Sequence, residues 1–190
     1  MKEEFAKKII SDLKDTIGID GSKFDKNTPT AANKSIADSI STYLTENVTI
    51  TISYVGTIPG PPPVPDPVVT DTMGITGTCA PPVGTDFNTW IKSLETNIVA
   101  GFFLEKGKAG IATVAPSPAF LPGLSLSRDD IKSVYENLGE EDNAQEKVWE
   151  EICDKIIKWL EKCNLGLTYP GNNSKAGSTG TITISKTTIT

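Results

Sequence analysis

Six prolines fall within the nine positions from Pro59 to Pro67 (PGPPPVPDP), and they decide what the surrounding chain can do. Proline fixes φ and lacks the backbone donor, so neither a helix nor a central strand can run through this stretch. Polyproline II is the expected conformation, serving as a stiff spacer. The run lacks the flanking Lys or Arg that proline-rich recognition ligands commonly use.

Before the prolines the hydrophobic period changes once. Phe5, Ile9, Leu13 and Ile17, with Ile10 beside them, form a stripe at helical spacing over residues 3–17. A polar loop (GIDGSKFDKN) follows, and Thr28-Pro29 reads as an N-cap with proline at the first helical position. The helix it opens carries Ile36, Ile40, Tyr43 and Leu44 on one side and ends near Asn47. From Val48 to Val55 the period becomes two: Val48, Ile50, Ile52 and Tyr54 alternate with threonine and serine, the pattern of a half-buried strand. Beyond the prolines, Val68 to Cys79 (VVTDTMGITGTC) reads as a second, Gly-interrupted strand.

The second half opens with a helix near Asp86 that carries Trp90, Ile91, Leu94, Ile98, Phe102 and Phe103. A Gly/Pro-punctuated segment follows. Ser127–Asp130 resembles a capping box opening a short helix to about Leu138, and Asp142–Gln145 resembles another, opening a helix with Val148, Ile152, Ile156, Trp159 and Leu160. Leu165, Leu167 and Tyr169 alternate, residues 171–180 read as a polar loop, and Thr181 to Ser185 reads as a final strand.

The two halves echo each other. Ile10, Leu13 and Ile17 recur as Ile91, Leu94 and Ile98 at an offset of 81, and Ile36, Asp38, Ile40 and Leu44 recur as Ile152, Asp154, Ile156 and Leu160 at an offset of 116. Thr76-Gly77-Thr78 has its counterpart in Thr179-Gly180-Thr181. The expected fold is therefore α+β, with duplicated helix–helix–strand–strand units whose amphipathic helices pack on small antiparallel sheets. Residues 1–80 make the first unit, with its Pro-rich linker; residues 81–190 make the second, with an insertion at 104–127. Ile10, Leu13, Ile40, Leu44, Ile91, Leu94, Ile156 and Leu160 are the expected core. The insertion is apolar, and Ile111, Val114, Phe120, Leu121 and Leu124 are its candidate interface residues. An exposed apolar loop marks an interface, so the segment reads as an assembly arm; otherwise it folds over Phe102 and Phe103.

Composition narrows the function classes. Histidine is absent, which removes the commonest general base and metal ligand. The formal charge of −6 and the lack of any Lys/Arg cluster longer than a pair argue against a nucleic-acid partner. Cys79, Cys153 and Cys163 make no disulfide framework: the last two lie ten residues apart in one expected helix, about 15 Å of rise and beyond disulfide reach. Asn33, Asn47 and Asn172 head glycosylation sequons, but the charged amphipathic N-terminal stretch does not read as a secretion signal. No apolar run is long enough to cross a membrane. No Walker-type glycine loop, calcium loop or paired catalytic carboxylates stand out, so no enzyme activity, metal or cofactor is expected. The TITISKTTIT segment offers a strand edge guarded only by Lys186, which in an assembling protein is a joint.

An amphipathic first helix, a second containing Ala37-Asp38-Ser39-Ile40 and running into a Thr-rich strand, a Gly/Pro linker and a Thr76-Gly77-Thr78 strand together give the chain its texture. In this it resembles small virion structural proteins of tailed bacteriophages, of capsid or tail. The resemblance implies a non-enzymatic subunit, made in the host cytoplasm and residing in the virion. It would be oligomeric, its partners being copies of itself or other virion proteins. The other reading is an adhesin-like surface- or peptide-binding module with the proline run as its stalk.

Overall fold

The computed structural model describes residues 1–18, 27–58, 64–65, 69–104, 113–114, 124, 126, 144–161, 167–168 and 181–190. Among the described residues, four helices, a five-stranded antiparallel sheet and a two-stranded ribbon make a mixed α+β fold. Helix α1 (Lys2–Ile17) buries Phe5, Ala6, Ile9 and Leu13, places Glu3 and Glu4 in its first turn and Lys14 in its last, and stops at Gly18 with φ +82°. Those charges complement the helix dipole, and the positive φ is one glycine adopts without a Cβ penalty. Helix α2 (Thr28–Asn47) starts one residue earlier than the expected cap: Asn27 is the N-cap and Pro29 lies in the first turn, where no donor is missed. Helix α3 (Phe87–Gly101) opens with a reciprocal capping box between Asp86 and Thr89. Helix α4 (Ala144–Glu161) buries Trp149, Ile152, Cys153, Ile156, Trp159 and Leu160.

The strands are β1 (Thr49–Ile58), β2 (Val64–Pro65), β3 (Val69–Gly77), β4 (Phe102–Leu104), β5 (Thr113–Val114), β6 (Leu167–Thr168) and β7 (Thr181–Ile189). β1 pairs antiparallel with β3 from Thr49↔Gly74 to Tyr54↔Val69, then with β2 at Thr57↔Pro65 and Ile58↔Val64. The prolines thus stand in the connection of a hairpin, inside the first half as the sequence suggests. Pro65, expected in a polyproline II spacer, occupies a pairing position at the hairpin's end, where the ladder tolerates a missing donor. The remainder of the run, including 59–63 and 66–67, lies outside the described residues.

β7 takes the other side of β1, from Ile50↔Ile189 to Thr57↔Thr181. Thr49 and Thr190 extend this pairing by exchanging backbone hydrogen bonds of 2.8 and 3.0 Å. Directly opposed residues share a sheet face, and Ile50 and Ile189 are both buried, whereas the alternate positions Thr49 and Thr51 are only half-buried. α2 packs on β3, α4 on β7, and α1 packs against both α2 and α4, so the helices cover that apolar face.

Among the described residues the pairings give no sign of the duplicated plan. β6 pairs with β5 and β7 with β1, while β3 continues to β4 through Ile75↔Leu104 and Gly77↔Phe102. One core holds residues from both halves, Phe5 to Leu44 with Ile91 to Leu160. Of the expected core residues, Leu13, Ile40, Leu44, Ile91, Leu94, Ile156 and Leu160 are buried; Ile10 is partly buried at the margin. α3 ends at Gly101, so Phe102 and Phe103 lie in a strand instead of the expected helix. The short helix expected at 127–138 lies outside the described residues. No helix among the described residues is long and apolar enough to cross a membrane.

Candidate functional site

The insertion supplies little exposed surface among the residues that are described. Leu124 and Leu126 are buried in the core, and the Leu126 N–H donates to Glu95 Oε2 of α3 at 3.0 Å. Leu124, taken as an interface residue, is therefore a core residue, and this end of the segment lies on the chain's own helix. The backbone of Val114 pairs with Leu167 in the β5–β6 ribbon. Ile111, Phe120 and Leu121 lie outside the described residues.

A more exposed apolar feature stands where the chain leaves the sheet. Residues 79–86 run back along α3 as an extended strap. The Cys79 N–H donates to Ser41 Oγ at 2.8 Å, Asn97 Nδ2 donates to the Ala80 and Pro81 carbonyls at 3.0 and 3.2 Å, and the Val83 N–H donates to Ser93 Oγ at 3.0 Å. Gly84 lies so close to α3 that a Cβ there would stand 2.3 Å from the Trp90 nitrogen. Pro82 is buried, while Val83 is 71 % exposed and Phe87, in the first turn of α3, is 43 % exposed.

An aromatic series supports this end of α3. The rings of Phe87 and Trp90 stack at 6.2 Å, and Trp90 meets the buried Trp149 of α4 edge-on at 6.4 Å. The Trp90 indole N–H donates to Asn33 Oδ1 of α2 at 3.0 Å, which fixes the ring. That bond gives Asn33, the first sequon residue, a structural task; Asn47 is exposed at the end of α2, and Asn172 lies outside the described residues. The sequence reads Trp90 as one of the apolar residues of α3 but gives Val83 no mark, because an exposed valine in a Pro/Gly segment follows no periodicity.

A second polar group joins two helices. Ser39, 1 % exposed, shares its hydroxyl proton between Asp12 Oδ2 at 2.6 Å and the Ser35 carbonyl at 2.7 Å, and Lys8 Nζ donates to the same Asp12 oxygen at 2.9 Å. The group ties α1 to α2. Cys79 and Cys153 are free and buried. Burial pushes the Cys79 thiol up to about 12 and raises that of Cys153 well above its usual range, with Glu150 adding to the second shift. Such thiols are poor nucleophiles, because the reactive thiolate is scarce. Among the described residues, no group of three or more His, Cys, Asp or Glu is placed to hold a metal ion. Compared with family models, curated proteins and solved structures, the chain matches none.

Proposed function

We propose that the chain is a non-enzymatic structural subunit of a viral particle, of the capsid or tail type, acting through protein–protein contacts with copies of itself. The observation that carries this reading is the strap at 79–86, which presents Val83 and leads into α3, where Phe87 is partly exposed. Exposed apolar residues rimmed by polar ones favour association, and a surface already fixed by hydrogen bonds loses little conformational freedom when it docks. The aromatic series beneath gives Phe87 a rigid base of the kind binding anchors have. The resemblance to tailed-phage structural proteins supports a particle as the setting and the virion as the location.

The test is a Val83→Ser, Phe87→Ser double variant, compared with the wild type by size exclusion with light scattering over a range of concentrations and by electron microscopy. The expected result is a wild type that forms higher oligomers with rising concentration. The variant should keep its helical circular dichroism and melting temperature yet remain the smaller species. A wild type that stays monomeric throughout, or a variant that assembles equally well, overturns the reading.

A further inference from the structure

Among the described residues β7 is an edge: β1 takes one side of it, and no described strand takes the other. A row of unpaired N–H and C=O groups is a template for another strand, and folded proteins blunt such edges with bulges, lysine or proline. β7 carries two of these devices side by side. Ser53 opposes Lys186 and Tyr54 opposes Ile184, so Ser185 is an extra residue without a register partner, the mark of a bulge. Lys186, next to it, is the strand's only charged residue. The rest is threonine and isoleucine, strong strand formers without charge, a composition prone to pair with its own copies.

Position sharpens the point. Both devices sit in the middle of β7, with residues 181–184 on one side and 187–189 on the other. A bulge interrupts the ladder, so a straight incoming strand can satisfy only one half of this edge. An antiparallel copy of β7 with its twofold at Lys186 would also set the two Lys186 positions directly opposite each other, where like charges repel.

We infer that Ser185 and Lys186 act together as a guard that keeps the outer edge of β7 from pairing with β7 of a second copy. The inference goes beyond the particle reading and is independent of it, and it directs subunit contacts to another surface. A joint at this edge, which the TITISKTTIT segment suggests when taken alone, is what the guard prevents.

The experiment compares Lys186→Thr and Lys186→Glu with the wild type, all as the full chain. Melting temperature is read by circular dichroism, and soluble fraction and thioflavin fluorescence are read after prolonged incubation. Unchanged melting for both variants is expected, with loss of soluble protein and a gain of thioflavin signal for Lys186→Thr alone. The glutamate retains a charge at the guard position and should stay as soluble as the wild type. The inference is overturned if Lys186→Thr remains as soluble as the wild type or if both variants aggregate alike. Lower melting temperatures also overturn it, because they make Lys186 a residue that holds the fold.

Discussion

The backbones of Gly77 and Gly101 meet where β3 ends and α3 gives way to β4. The Thr78 N–H donates to the Gly101 carbonyl oxygen at 3.0 Å, and a Cβ on Gly77 would stand 2.0 Å from that same oxygen. Gly77 also has φ +128°, a conformation L side chains rarely adopt. A Cβ on Gly101 would lie 2.1 Å from the Thr78 carbonyl oxygen. Gly77→Ala suffers both strain and collision, and Gly101→Ala collision alone. Strain of this kind costs roughly 1–3 kcal/mol, so both variants should lower the urea midpoint, Gly77→Ala the more. An unchanged midpoint for Gly101→Ala means the two backbones are not this close.

Leu94 is fully buried in α3, within the single core. Leu94→Ala should destabilise the protein by about 2–5 kcal/mol, the range for a buried leucine that leaves a cavity. The cost should appear as one cooperative transition, because residues of both halves share that core. Two separate unfolding steps, with only one of them shifted, would instead point to independent units.

Ser39 and Lys8 both reach Asp12, from different degrees of burial. Ser39→Ala removes a buried donor to a charged group and should cost about 1–2 kcal/mol. Lys8→Ala removes a partly exposed ion pair and should cost less, about 0–1 kcal/mol. Denaturation of the two single variants ranks them, and the reverse order rules out the buried hydroxyl as the stronger tie between α1 and α2.

Alkaline pH should weaken the fold through its thiols. The folded state holds the Cys79 proton to about 12 and that of Cys153 well above the ordinary value of 9.0, whereas the unfolded chain releases both from about that ordinary value. Above it the unfolded state binds fewer protons, so stability falls as pH rises; below it the thiols contribute no slope. Urea midpoints taken from neutral to strongly alkaline pH should decline more steeply for the wild type than for Cys79→Ala, Cys153→Ala. Parallel profiles would show that the thiols titrate alike in both states.

Helices and the first strand are legible in the sequence because each follows one period. Phe5, Ile9 and Leu13, or Ile91, Leu94 and Ile98, need no knowledge of what covers them. β7 is legible only to Ser185, since alternation places Ile182 and Ile184 out of phase with Ile189. The register lapse restores the phase: positions 182 and 184 oppose Gly56 and Tyr54, in the same alternate set as Ile50, which opposes Ile189. Phe102 and Phe103 continue the apolar period of α3, but the contact between Gly101 and Thr78 turns the chain out of the helix, and a periodicity does not reveal a contact across the fold. The choice of β1 as partner for β7 is likewise absent from local pattern, because any alternating Thr/Ile strand suits another. The surface at Val83 and Phe87 was hidden for a similar reason: exposure depends on what the rest of the chain covers.

The exchange of hydrogen bonds between Thr49 and Thr190 spans 141 positions, and that separation has a cost in time. At the usual pace of synthesis, the interval between the emergence of β1 and that of β7 is on the order of ten seconds. For all of it, β1 has its hairpin partner but lacks the strand that closes its other side. Nascent chains on neighbouring ribosomes then carry the same half-finished Thr/Ile edge at high local concentration. The native pairing must also meet a long loop-closure requirement before it is rewarded, which slows folding. The vulnerable species of this protein is thus the chain still being made, and crowding on polysomes or loss of a nascent-chain chaperone should lower its yield more than heating the finished fold would suggest.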